Sequence, residues 1–131
     1  MIVPFTEKRA CPRFNIPGAV VSYQKIGLFG RRRGWAERSC LVEDLSRGGI
    51  RFLTRQSPAL GIMLDIELTW PEDQKSLHLL GRVRWRGEYS GDQFRFYLGV
   101  QFQPYGEGRK YNSPEVLDRI IGLENHLLAG R

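Results

Sequence analysis

The chain has 131 residues, a length typical of one domain, and 41% of them are hydrophobic, which is enough for a single packed core. Its 20 lysines and arginines exceed its 14 aspartates and glutamates, so the net charge of +6 favours partners that carry phosphate. Two cysteines are too few for a disulfide scaffold or a four-thiolate metal site. No apolar run approaches the roughly 20 residues of a membrane span, so we expect a cytoplasmic protein without stable membrane insertion.

The first 17 residues predict an extended, flexible arm that carries arginines. They contain three prolines, and their basic side chains are Lys8, Arg9 and Arg13. Pro12 cannot continue a helix, so Arg9 and Arg13 are expected on an irregular segment rather than on one helical face.

Alternating apolar and polar residues predict β-strands through the middle of the chain. The alternation is clearest in three segments and weaker in three others: Ile62–Trp70, Leu77–Glu88 and Phe94–Phe102, then Ala19–Gln24, Glu37–Glu43 and Gly49–Thr54. An open sheet of six such strands would expose its edges, so we expect the strands, over residues 18–104, to form a closed barrel or a sandwich.

A helix is predicted to follow the strands, over residues 113–129. Ser113, Pro114 and Glu115 are typical of an N-cap, a first helical position and an acidic first turn. The apolar residues after them recur at helical spacing, which predicts a helix packed on the barrel, with a dimer-forming surface as the alternative.

Two short motifs are candidates for a binding function. Arg9 and Arg13 form an R-x-x-x-R pattern, but three other arginine pairs share this spacing, so the pattern alone is uninformative. The segment from Asp44 to Gly49, DLSRGG, is the one match in the chain to [DN]-x-S-x-x-G, and it lies between two predicted strands.

The DLSRGG turn offers chemistry suited to a guanine nucleotide. The carboxylate of Asp44 can accept the N1 and N2 protons of guanine, the Ser46 hydroxyl can bond base or phosphate, and Gly49 allows close approach of backbone. The alternative is an ordinary turn, in which Asp44 and Ser46 bond nearby backbone N–H groups and Gly49 has a positive φ.

These two motifs occur in this order, followed by GRVRW at residues 81–85 and LGVQF at residues 98–102. The combination resembles the PilZ domain family of bacterial cyclic di-GMP receptors, from Lys8 to the C-terminal helix. The resemblance implies an all-β fold, a six-stranded antiparallel, Greek-key-like β-barrel with an N-terminal arm and a C-terminal helix, in one domain over residues 1–131.

The resemblance also implies a ligand, cyclic di-GMP, and no further cofactor or metal. The family's arginines correspond to Arg9 and Arg13, which are expected to contact guanine edges and phosphates, and Asp44 and Ser46 are expected to hydrogen-bond the ligand. Lys8 precedes the first motif arginine, where it is either solvated or contacts a second ligand molecule.

Trp85 has two possible roles. It shares a predicted strand face with Val83, which favours a place in the core, and the alternative is a stacking platform for guanine at the barrel rim.

Residues 30–35, GRRRGW, predict a hairpin insertion between the two motifs. We expect its tip to be solvated, although three arginines beside a tryptophan could also touch nucleic acid, lipid headgroups or an acidic partner.

The expected function is therefore a non-catalytic cyclic di-GMP sensor. Ligand binding would order the arm and change the surface seen by a separate effector protein. The sequence supports an enzyme least, because His78 and His126 stand alone and no catalytic or metal-ligand motif is present. The alternatives are a nucleotide-independent adapter for protein interactions and, less favoured, a basic barrel that binds nucleic acid.

Overall fold

A computed structural model describes residues 12–128, apart from the side chains of residues 73 and 74. Its strands are β1 Val20–Ile26, β2 Arg32–Ser46, β3 Gly49–Thr54, β4 Met63–Trp70, β5 Asp73–Glu88 and β6 Phe96–Phe102, and its helix α1 spans Pro114–Leu128. The strands form a closed barrel in the order β1-β2-β3-β6-β5-β4, with antiparallel pairing throughout. The predicted six-stranded antiparallel barrel with a C-terminal helix is confirmed.

The barrel interior is filled by the apolar face of each strand. Tyr23 and Phe52 pack with their ring centroids 5.9 Å apart, and both side chains are fully buried. The alternation in β4 is regular, with Leu64, Ile66 and Leu68 inside the core. Period-two alternation therefore predicts the interior of β4 correctly.

The chain just before β1 is fixed to the barrel. Phe14 and Leu45 exchange two backbone hydrogen bonds, of 2.9 and 2.8 Å, and both side chains are buried. Ile16 is also in the core. The part of the predicted arm that the structure describes thus lies against β2, and residues 1–11, which include Lys8 and Arg9, lie outside the described residues.

The loop between β6 and α1 is held by one buried amide. Asn112 donates to the carbonyl oxygens of Leu80 and Gln103, both at 2.9 Å, and accepts from the Leu80 N–H at 2.7 Å. Ser113 caps α1 by accepting the Glu115 N–H at 3.1 Å. No helix within residues 12–128 is long and apolar enough to cross a membrane.

The segment predicted as a hairpin insertion is part of a long β1–β2 hairpin. A short 3-10 turn, Leu28–Gly30, forms its tip, and Arg32 already pairs with Ile26 in the ladder. Arg32 also donates to Asp65 on β4 at 2.6 Å, so the expectation that this arginine is only solvated is wrong. The first residues of β2 were not predicted as strand, because residues 30–35 contain no apolar alternation.

Trp85 does not lie in the core, which corrects the favoured prediction for it. Val83 faces Val100, but Trp85 faces Gly99, so β5 supplies two residues where β6 supplies one. Arg84 is the extra residue of this β-bulge, and the bulge turns Trp85 to the outer surface, where it is 42% exposed.

Candidate functional site

Four residues form a row across the outside of the barrel. Asp44 on β2 pairs with Arg51 on β3, Arg51 pairs with Gly99 on β6, and Gly99 pairs with Trp85 on β5. Directly opposite residues in antiparallel strands hold their side chains on one face and close together. The row therefore joins the DLSRGG motif to Trp85, 41 positions later in the chain.

A β-bulge at each end aligns this row. On β2, Val42 faces Phe52 while Asp44 faces Arg51, so Glu43 is the extra residue. On β5, Arg84 is the extra residue, between Val83 and Trp85. Both bulges aim a side chain outward that simple alternation would place elsewhere, as bulges beside functional sites commonly do.

Asp44 holds two guanidinium groups at one carboxylate. Its Oδ1 accepts from Arg13 Nη1 at 3.0 Å and from Arg51 Nε at 3.0 Å, and its Oδ2 accepts from Nη2 and Nε of Arg51. The side chain of Asp44 is 12% exposed, whereas those of Arg13 and Arg51 are 37% and 44% exposed. The carboxylate is covered, and the two cations face solvent.

The hydrogen bonds to Asp44 raise the pKa of Arg51, so this side chain remains charged. The nearby Glu43 carboxylate also raises the pKa of Arg51, so two carboxylates balance the two guanidinium groups, whose planar N–H donors face solvent. Such a pair of fixed, planar donors suits a phosphate or the edge of a guanine.

Two aromatic rings lie over strand glycines beside the arginines. A Cβ atom at Gly99 would come within 2.3 Å of the Trp85 ring, and one at Gly87 within 2.4 Å of the Tyr97 ring. Each ring therefore occupies the space that a side chain on the opposite strand would fill. Arg13, Arg51, Trp85, Tyr97 and Gly99 together line an open pocket of about 290 Å³.

Ser46 and Gly49 stabilise the turn rather than line this pocket. The Ser46 hydroxyl accepts the Gly48 N–H at 3.3 Å, as expected for a serine turn. Gly49 does not have the positive φ considered above. Its Cβ would lie 2.5 Å from the carbonyl oxygen of Val100, so close strand approach requires the glycine.

Arg47, inside the same motif, connects the turn to α1. Its Nε and Nη2 donate to the two carboxylate oxygens of Glu124, at 3.1 and 2.7 Å. Tyr105 donates to the Arg47 carbonyl oxygen at 2.5 Å. One end of the motif therefore contacts the arginines of the pocket, through Asp44, and its Arg47 contacts the helix.

Of the site residues predicted from sequence, the structure brings Arg13, Asp44 and Trp85 together and places Ser46 and Gly49 in the adjoining turn. Lys8 and Arg9 lie outside the described residues.

Two residues of the pocket, Arg51 and Tyr97, were not predicted from the sequence. Arg51 belongs to two of the competing R-x-x-x-R pairs, and only the strand register, which places it opposite Asp44, distinguishes it from the others.

A family model described as PilZ domain matches residues 7–111. The chain belongs to the PilZ domain family. PilZ domains are ligand-binding receptor domains of the cyclic di-GMP-binding type and are not a known enzyme family. The PilZ match includes Arg9, Arg13, the DLSRGG turn and Trp85, and it ends before α1.

No curated protein matches the sequence. Within residues 12–128, no group of three or more histidine, cysteine or acidic side chains could hold a metal ion.

Proposed function

We propose that this PilZ domain is a receptor that binds cyclic di-GMP in the pocket between Arg13, Arg51 and Trp85. The observation that carries the proposal is the row from Asp44 to Trp85, which sets two oriented guanidinium groups beside an exposed indole ring. A nucleotide with phosphates and purine rings matches both halves of this surface.

Charge supports an anionic ligand. Cyclic di-GMP carries two phosphates, and the two arginines that line the pocket are more exposed than the Asp44 carboxylate that they share. Arg9 and Lys8 are predicted to add positive charge from the arm. Charge-assisted hydrogen bonds to such groups contribute about 1.5 to 3 kcal/mol each.

The aromatic rings support a purine. Trp85 is 42% and Tyr97 36% exposed, and each ring lies against a glycine of the neighbouring strand. Stacking of a base on such a ring contributes about 1 to 3 kcal/mol. A micromolar complex requires a binding free energy of ~8.2 kcal/mol. One stacked guanine and three or four charged contacts can supply this, and the cost of ordering the arm is subtracted from their sum.

Asp44 acts in this proposal by positioning the arginines. Both carboxylate oxygens already accept from Arg13 and Arg51, so a guanine edge that bonded Asp44 directly would displace one of them. Ser46 and Gly49 contribute by holding the turn in which Asp44 is placed.

Titration calorimetry of the full chain with cyclic di-GMP tests the proposal. We expect Arg13→Ala and Arg51→Ala each to weaken binding at least tenfold, about 1.4 kcal/mol. Arg32→Ala is the matched control, because Arg32 forms a similarly exposed ion pair with Asp65 on another part of the barrel. It should bind like the unchanged protein.

The outcomes separate the candidate functions. No heat at protein concentrations of about tens of micromolar would reject the receptor and leave the nucleotide-independent adapter. If Arg51→Ala leaves the affinity for cyclic di-GMP unchanged, the ligand binds to another surface. Binding to random-sequence DNA with a steep salt dependence would support the nucleic-acid alternative.

Signalling is proposed to involve the arm and a separate effector protein. The Phe14 N–H already bonds Leu45, so its exchange with solvent should be slow without ligand. Contacts of Arg9 with ligand should slow amide exchange mainly in residues 6–11. Exchange there that is equally slow with and without cyclic di-GMP would contradict this mechanism.

A further inference from the structure

The tip of the β1–β2 hairpin exposes two large apolar side chains. Leu28 is 84% exposed and Phe29 is fully exposed, which makes them the most exposed large hydrophobic residues within the described chain. We call these two residues the hairpin apex. Single exposed apolar side chains are normal on a protein surface. Two adjacent ones at a protruding tip form a patch that favours contact with an apolar phase.

The backbone presents this apex in a defined geometry. Gly27 and Arg31 close the tip by a hydrogen bond of 2.7 Å, and the Gly30 N–H donates back to Gly27 at 3.2 Å. Phe29 has φ 61 and ψ 26, the left-handed region that bulky residues rarely adopt. A strained, fully exposed phenylalanine has no core contact to explain it, and such outliers concentrate at functional positions.

Positive charge lies close to the apex. Arg31 and Arg33 follow it in sequence, both are exposed, and neither forms an ion pair with another residue in 12–128. Phe29 and Gly30 also border an open pocket of about 810 Å³ whose other walls include Arg109 and Lys110. Every charged residue that lines this pocket within the described chain is basic.

We propose that this end of the barrel docks reversibly on an anionic lipid membrane. Leu28 and Phe29 enter the interface, while Arg31, Arg33, Arg109 and Lys110 contact headgroup phosphates. Apolar side chains next to basic ones match the membrane interface, where an apolar core lies beneath negatively charged headgroups.

The shape of the apex favours lipid over nucleic acid or protein. Leu28 cannot stack on a base, so nucleic acid would leave it in water. A folded protein would need a pocket shaped for two protruding side chains, whereas a fluid lipid layer accepts them without one. This surface is distinct from the pocket at Arg51, and the inference does not depend on cyclic di-GMP binding.

Sedimentation of the full chain with lipid vesicles tests the proposal. We expect partition onto phosphatidylcholine vesicles containing phosphatidylglycerol to exceed partition onto phosphatidylcholine alone at least tenfold, and to fall with added salt. Leu28→Ser/Phe29→Ser should lose at least tenfold of that partition. Leu41→Ser, which removes an exposed leucine from β2, is the apolar control and should bind normally.

The contribution of Arg31 and Arg33 to membrane binding is tested separately. Arg31→Glu/Arg33→Glu should also lose at least tenfold, and Arg38→Glu/Arg95→Glu, with the same change in net charge, should lose less. Phe29→Trp gives a readout that does not depend on loss of binding, because its fluorescence should shift to the blue on anionic vesicles. Unchanged thermal unfolding shows that each variant remains folded.

Three results would overturn the proposal. One is equal partition onto neutral and anionic vesicles. Another is apex variants that sediment like the unchanged protein. The third is duplex DNA binding that depends on Arg31 and Arg33 but not on the apex, which would assign the surface to nucleic acid.

Discussion

Gly99 shapes the candidate site because it has no side chain. It faces Trp85 across the β5–β6 pair, and its missing side chain leaves room for the indole ring to lie on the barrel. The same relation holds between Gly87 and Tyr97. Neither glycine was selected from the sequence as a site residue, because a glycine inside a strand identifies a close contact without identifying the partner.

Gly99→Ala should therefore displace Trp85 from its place beside Arg51. The added Cβ would lie 2.3 Å from the ring, so the ring must move. We expect cyclic di-GMP affinity to fall at least tenfold, about 1.4 kcal/mol, and the tryptophan emission to change.

Gly122→Ala is the control for this change. Gly122 lies in α1, where nothing is within 4 Å of an added Cβ. It should stabilise the protein by up to about 1 kcal/mol through helix propensity and leave affinity unchanged. Normal affinity in Gly99→Ala would show that the orientation of Trp85 does not matter for binding.

At the scale of the elements, alternation predicted the strands but not the bulges. The period of two located most of β4, β5 and β6, and β3, predicted from a weaker pattern, has the predicted bounds. It failed at Trp85, because the single extra residue Arg84 reverses which face every later side chain of β5 occupies. A bulge has no consistent sequence signature, so the outward position of Trp85 could be determined only from the register.

An ion pair between Arg47 and Glu124 connects the motif turn to α1. Glu124 is 5% exposed, and both its carboxylate oxygens accept from Arg47. We expect Glu124→Ala to lower the free energy of unfolding by about 2 kcal/mol, because two charge-assisted hydrogen bonds are lost. Urea denaturation measures this change.

Asp118→Ala is the matched control on the same helix. Asp118 is exposed, so its removal should change stability by no more than about 0.5 kcal/mol. Equal effects of the two substitutions would show that the Arg47–Glu124 pair does not hold the helix.

At the scale of the whole molecule, the site exists because the barrel closes. Arg13 and Trp85 are 72 positions apart and lie in one pocket because β3 pairs with β6. The strand pattern was sufficient to predict a barrel or a sandwich, since exposed edges are unfavourable, and the resemblance selected the barrel together with Arg13 and Asp44. It could not predict Arg51, because four arginine pairs share one spacing and only long-range register distinguishes them.

Closure also buries a polar cluster that should make the protein sensitive to alkali. Cys40 is fully buried near Glu37, and burial, with a smaller effect of that carboxylate, raises the pKa of its thiol to about 12. Tyr23 donates to Glu37, and burial likewise raises the pKa of Tyr23 above its usual value. Both groups keep their protons in the folded state when the unfolded chain would lose them.

Unfolding free energy should therefore fall as pH rises. Below about pH 8.5, where an unfolded thiol stays protonated, the contribution of Cys40 is fully present. Above that pH the unfolded state binds fewer protons, so stability falls by about 1.4 kcal/mol per pH unit until the folded thiol itself ionises. Urea denaturation at about pH 8 and about pH 10 should show this loss, and Cys40→Ala should show a smaller one. An identical pH dependence in Cys40→Ala would mean that the buried thiol is not responsible.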